Sequence, residues 1–438
     1  MKNLARLLGV LSGAVAVVVM RPVNSYQGFL IKATATAQTP ALAALGAISA
    51  ALGVKHRSLL AMLSGALGAG VGIRYIRQVT ATHRGFERAF GADWQRRFAG
   101  HKSPYQLMRR LPLRLPNVPE PLWTRDVTFW SFPDTERRLL ADVWQPPPEV
   151  ERTGTVIVYL YGGSWHFFDK DVLTRPFFRQ LAAQGHVVMD VGHRSCPETD
   201  VVGMVGDVHR AVAWTKLNAE QYGIDPERVV LMGGSSGAHI ALLAAYAPEH
   251  PRLKPAELQG VETSVMAVVS YYGIPDMYTA SARWIDQAGG IAPPPAGGEH
   301  RPPGKAADFL SRLIYGRTLT AAQSPPAPPI GQLLRNVLGG LPADVPDMYE
   351  LASPIRQVST ASPPTLMFQG THDAVVPLES ARRLHQALEE AGVPVVYVEL
   401  PWTEHAFDLM YPPLANPAAK AALYDVERFL ACVAAGNR

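Results

Sequence analysis

From residue 127 onward, short runs of β-branched and aliphatic residues alternate with longer stretches of helical period. Residues 155–160 (TVIVYL), 186–191 (HVVMDV) and 228–232 (RVVLM) are almost wholly apolar, as strands covered on both faces of a parallel sheet must be. Further strands are predicted at 265–271, 364–369 and 395–400, and an opening hairpin at 127–130 and 139–144. Helices are predicted at 175–184, 204–221, 379–391 and 418–434. Such alternation implies an α/β domain whose mostly parallel sheet carries helices on both faces. One stretch breaks the rhythm. It holds PPPAGGEHRPPGK and SPPAPPIG, which neither a sheet nor a long helix tolerates. The expectation is a lid of about residues 277–346, inserted between the sixth and seventh strands.

The first hundred residues follow a different pattern. Three apolar stretches, 4–20, 40–54 and 59–73, come close to the ~20 residues that cross a bilayer. Lys2 and Arg6 ahead of the first suit a signal peptide, but Arg21-Pro22 follows Met20 in place of a small-residue cleavage site. Gly65, Gly68 and Gly72 in the third would let helices approach closely in lipid. Residues 75–98 are predicted to form a basic amphipathic helix, with Phe86, Phe90, Trp94 and Phe98 every four positions. That stripe suits either a headgroup layer or a face packed on the rest of the protein. The expected organisation is a helical membrane region at 1–100, a Pro-rich connector at 101–123, and a catalytic domain at 124–438.

Composition narrows the chemistry. Nearly half of the 438 residues are apolar and the net charge is only +4, without a basic block. Nucleic acid is therefore not an expected partner. Cys196 and Cys432 stand in no metal-binding spacing. No metal and no cofactor are expected, and the two thiols are read as independent rather than paired.

Gly233-Gly234-Ser235-Ser236-Gly237 is a G-x-S-x-G with a strand before it and a helix pattern after it. A serine on that turn is presented to solvent at a helix N-terminus, where negative charge is favoured. Tyr161-Gly162-Gly163-Ser164-Trp165 leaves the strand TVIVYL. The N–H groups of Gly162, Gly163 and Ser164, with that of Ser236, are candidates for an oxyanion hole. A serine needs a base, and the base an acid to orient it. Asp373 follows the strand at 364–369, and His405 alone among thirteen histidines follows the last strand with an acid ahead of it. His239 is expected to be structural; His166 and His193, near strand ends on the catalytic side, are candidates for the pocket lining, with packing as the default role of a lone histidine.

These motifs, with HRSCPE at 193–198, DPERVVLMGGSSGAH at 225–239, GTHDAVVP at 370–377 and EHAF at 404–407, resemble the bacterial carboxylesterase/lipase branch related to hormone-sensitive lipase. The resemblance spans about residues 127–433 and implies an α/β-hydrolase fold, ester hydrolysis through an acyl-enzyme, and no cofactor. The chain departs from that pattern where Tyr161 replaces a usual His, Ser164 a usual third Gly, and His193 a usual Tyr.

The expected function is thus a serine carboxylesterase or lipase acting on a lipophilic ester or acyl lipid at a membrane. Ser235 is its nucleophile, His405 its base and Asp373 its acid. Acyltransferase and peptidase chemistry would use the same three residues, and a non-catalytic membrane-tethered binding module is the reading from another class. Lys55 and Arg57 between the second and third stretches favour an exoplasmic hydrolase; Arg74, Arg77 and Arg84 favour the reverse.

Overall fold

A computed structural model describes residues 1–24, 26–99, 103–111, 116–289, 328–410 and 416–436. Its centre is an eight-stranded sheet: β1 (Leu122–Ser131), β2 (Arg138–Gln145), β3 (Val156–Leu160), β4 (Val187–Val191), β5 (Val229–Gly234), β6 (Ala267–Tyr271), β7 (Thr365–Gly370) and β8 (Val395–Leu400). The order is β1-β2-β4-β3-β5-β6-β7-β8. β1 and β2 run antiparallel to their neighbours and the other strands run parallel. This is the α/β-hydrolase fold.

Side chains of β3 point alternately to two faces. Val156, Val158 and Leu160 join one apolar cluster with the helices Val201–Leu217 and Ser236–Tyr246. Ile157 and Tyr159 join the other, against the helices Arg175–Ala182 and Pro417–Gly436. The sequence placed every strand and the main helices that cover the sheet, with ends shifted by a few residues. β1 begins at Leu122, inside the expected connector, of which 101–102 and 112–115 lie outside the described residues. Of the expected lid, 290–327 lies outside them too; its flanks form the helices Met277–Gln287, Ile330–Leu338 and Pro346–Leu351.

The N-terminal region forms α1 (Lys2–Met20), α2 (Tyr26–Ala37), α3 (Thr39–Lys55) and α4 (Leu59–Val79). α1 and α4 are long and apolar enough to cross a membrane, and α2 with α3 would make a third span, bent by 72°. Glycines set the spacing: a Cβ on Gly46 would lie 2.4 Å from the Ala69 nitrogen, and one on Gly65 2.6 Å from the Gly46 oxygen. Ser49 Oγ donates to the carbonyls of Ala5, at 2.8 Å, and Ala61, at 3.2 Å, so its hydroxyl is satisfied between three helices. Arg6 Nε donates to Ser58 Oγ at 3.2 Å, which puts the start of α1 beside the α3–α4 turn. The outer faces carry Leu7, Leu11, Leu45, Ile48, Leu60 and Leu63, all exposed.

The single helix expected over 75–98 is not formed. α4 ends at Val79, and two short helices, Gly85–Phe90 and Trp94–Ala99, follow. Gly91, at φ +88°, separates them in a conformation that a helix excludes. The aromatic stripe packs inward rather than on headgroups. Phe86 stacks on Trp94 at 4.8 Å, and Phe90 meets Phe429 of the C-terminal helix at 6.0 Å. Cys196 and Cys432 are separate buried thiols, each near a backbone carbonyl, of Asn336 and Trp94 respectively. Burial pushes both up to about 12, so neither is a ready nucleophile.

Candidate active site

Ser235 stands between β5 and the helix Ser236–Tyr246 at φ +54°, ψ −125°. A non-glycine residue there is strained, and its surroundings hold it. Its N–H donates to the Tyr271 carbonyl at 2.9 Å, and its carbonyl accepts from His239 N at 3.0 Å. The two motif glycines leave no room for a side chain. A Cβ on Gly233 would lie 2.7 Å from the Gly237 carbonyl carbon, and one on Gly237 2.2 Å from the Leu160 oxygen.

The structure brings the three residues expected to form a triad together. Ser235 Oγ lies 2.9 Å from His405 Nε2, and His405 Nδ1 lies 2.9 Å from Asp373 Oδ2. Asp373 is buried with all its lone pairs engaged. Oδ1 accepts from the N–H groups of Val375 and Val376, each at 2.8 Å, and Oδ2 also accepts from Gln369 Nε2 at 2.8 Å. A helix flanking the expected lid fixes the same loop. Arg283, Trp284 and Gln287 donate to the carbonyls of Asp373, Val375 and Ala374. The Tyr272 ring sits 4.4 Å from that of His405, and its hydroxyl donates to Asp408.

The oxyanion candidates lie beside the serine. A Cβ on Gly162 would meet Ser235 Cβ at 3.1 Å and the Gly234 oxygen at 2.6 Å, so the two backbones touch. Gly163, at φ +156°, donates its N–H to Ser236 Oγ at 3.0 Å. To serve a substrate oxygen, that N–H must exchange acceptors. Ser164 and Trp165 follow at φ +51° and +60°. The first value explains why a third glycine is the usual choice there. This chain holds a serine in the left-handed region instead, pinned by Trp165 Nε1 on His239 Nδ1 at 3.2 Å.

His239 is structural, as expected. Its Nε2 donates to the Ala352 carbonyl at 2.7 Å while burial holds its pKa down at about 4. Of the two roles open to His166 and His193, packing is the one seen, and neither lines the cavity. His166 turns to Asn336 at 3.0 Å. His193 stacks flat on Tyr161, ring centres 4.3 Å apart, and the Tyr161 hydroxyl donates to the His193 carbonyl at 3.1 Å. The two positions that depart from the expected pattern thus meet in a single contact.

The cavity over Ser235 has a volume of about 490 Å³. Tyr159, Phe167 and Phe168 form much of its apolar lining, Leu333 comes from a lid-flanking helix, and Phe29 from α2. Sequence reasoning missed Phe29, Tyr272 and Glu404. The first two carry no local motif, and Glu404 was overlooked although it adjoins His405. No group of His, Cys, Asp or Glu suited to a metal occurs among the described residues.

Glu404 Oε1 accepts from the N–H groups of Ala374, at 2.6 Å, and His405, at 3.0 Å, and so ties the loops of Asp373 and His405 together. Burial, and secondarily the charge of Asp373, push its carboxyl up to about 7. The folded state therefore binds this proton more tightly than the unfolded chain, and stability falls as pH rises from about 4.5 through 7. Glu404→Gln keeps an acceptor at Oε1 and removes the titration. Between pH 5 and 8 the wild type is expected to lose roughly 2–3 kcal/mol relative to this variant. Thermal midpoints of both across that range provide the check; parallel curves would mean that Glu404 titrates as an ordinary surface carboxyl.

Three relatives set this site in context. Probable carboxylic ester hydrolase LipM of Mycobacterium tuberculosis is 31% identical over 304 residues, covering 69% of this chain and 60% of LipM. Esterase LipQ of the same organism is 28% identical over 346 residues, covering 77% of this chain and 72% of its own length. Esterase 2 of Thermogutta terrifontis aligns in structure with a TM-score of 0.49 and 20% identity over 71% of this chain and 93% of that one. The match thus spans less than two thirds of LipM. The family model described as BD-FAE matches residues 141–290 and 319–388, half of the sequence, with both Ser235 and Asp373 inside. The chain belongs to the BD-FAE family.

Proposed function

We propose that this protein hydrolyses carboxylic esters through an acyl-enzyme on Ser235. The observation that carries the reading is the unbroken relay Ser235–His405–Asp373, two contacts of 2.9 Å beneath an apolar cavity. Asp373 holds the Nδ1–H tautomer, which leaves Nε2 to take the serine proton. Oγ then bonds to the ester carbonyl carbon, and the carbonyl oxygen becomes an anion. The N–H groups of Ser236 and Ser164, with those of Gly162 and Gly163, are the donors we assign to it. His405 passes its proton to the departing alkoxide. Water, deprotonated in turn by His405, attacks the acyl-serine, and Ser235 recovers its proton as the acid leaves.

The lipophilic lining suits an apolar acyl group, and the N-terminal helices suit integral anchoring in the membrane. The orientation we favour puts the end carrying Lys2, Arg6, Lys55 and Arg57 in the cytoplasm and the hydrolase on the exoplasmic side. Arg74, one of the opposing charges, lies over the Trp402 ring at 4.9 Å, and that contact accounts for it without a cytoplasmic location.

A fluorophosphonate probe is expected to label Ser235 covalently in the full-length protein, with the adduct located by peptide mass. Turnover of p-nitrophenyl butyrate with added alcohol should release mostly free acid. Transfer to the alcohol as the main product would make the protein an acyltransferase, and no adduct at Ser235 would remove the proposal.

A further inference from the structure

The bundle and the catalytic loops are joined where the chemistry occurs. Lys32 of α2, fully buried, bonds His372, the neighbour of Asp373. Tyr75 of α4 bonds Thr403 Oγ1 at 3.0 Å, two residues before His405. α2 packs on the turn Phe407–Leu409, and its Phe29 ring meets that of His405 edge-on at 6.3 Å while lining the cavity. The next two residues on the same helix, Leu30 and Ile31, turn outward, 38% and 60% exposed. One short helix thus has a face on the reactive centre and a face continuous with the apolar exterior of the bundle.

From this juxtaposition we infer that α2 is the bilayer-side wall of the substrate cavity. A membrane-resident ester enters from the lipid along it, and Phe29 sets the acyl length the cavity accepts. The inference rests on the reading of Ser235 as the nucleophile. An ester arriving from lipid keeps its chain in apolar surroundings throughout, since it passes from bilayer to Leu30 and Ile31 to Phe29 without crossing water. Lys32 and Tyr75 hold the wall in register with both loops that carry the relay.

The test uses full-length protein in phosphatidylcholine vesicles and p-nitrophenyl esters from C4 to C16. Each CH₂ that finds apolar contact is worth a factor of about four in kcat/KM. Phe29→Ala, which lengthens the cavity, is expected to raise the C12-to-C4 ratio of kcat/KM by about ten-fold, and Phe29→Trp to lower it by a similar factor. Fluorophosphonate labelling of each variant reports that fold and nucleophile survive. A C16 fluorophosphonate with a terminal diazirine, delivered in the vesicles, should crosslink from Ser235 to residues 26–37. Variants that label but scale all chain lengths equally, with crosslinks confined to the helix Ile330–Leu338, would overturn the inference and leave the hydrolase reading standing. Failure of the wild type to label would remove both.

Discussion

Replacing Ser235 by alanine is expected to lower kcat/KM for p-nitrophenyl butyrate by about 10⁴-fold or more, with the fold intact. Only one oxygen is removed, and nothing else in the protein bonds that oxygen except His405 among the described residues. Alanine takes up φ +54° no worse than serine does, and Gly233, Gly237 and the Tyr271 carbonyl still hold the turn. The cavity and the backbone donors remain, so binding of an ester analogue should change little. Loss of rate with retained affinity is the signature of a group acting in the transition state. Ester turnover that persists in the folded variant, and is still blocked by fluorophosphonate, would show that another residue carries the acyl group.

Asp373→Asn is expected to cost about 10³–10⁴-fold in kcat while leaving KM near that of wild type. The partners of Asp373 give the reason. Val375 and Val376 present two N–H donors to one oxygen, so the asparagine must keep its carbonyl there. Its NH₂ group then faces Gln369 Nε2 and His405 Nδ1. His405 can answer only by accepting at Nδ1, which moves its proton to Nε2, where it can no longer take one from Ser235. The amide of Gln369 is left against another donor, and a buried unpaired donor costs about 1–3 kcal/mol. Both a lower thermal midpoint and the loss of kcat should therefore appear. Full activity in this variant would mean that His405 is oriented by something other than the carboxylate.

What could be read from the sequence divides along physical lines. Strands β3 to β8 were legible because a buried parallel strand leaves a run of β-branched residues, and such runs are short and bounded. Ser235, Asp373 and His405 were legible because each sits at a strand end, where topology fixes its direction. The break at Gly91 was not, since the four-residue spacing of Phe86, Phe90 and Trp94 continues across it even though the helix does not. The stripe's burial against Phe429 depends on a helix at the other end of the chain, which no local pattern encodes. Phe29 was invisible for the same reason: α2 is too short and too mildly apolar to stand out, and its partner His405 lies in the last loop of the sheet. The contact between Tyr161 and His193 was not legible either, since no local pattern links the two positions.

The bonds from Lys32 to His372 and from Tyr75 to Thr403 have a bearing on engineering. The N-terminal bundle and the α/β domain are therefore not interchangeable modules. Replacing the N-terminal helices by a foreign segment would take from the loops of Asp373 and His405 the bonds of Lys32 and Tyr75 and the apolar cover of Phe29.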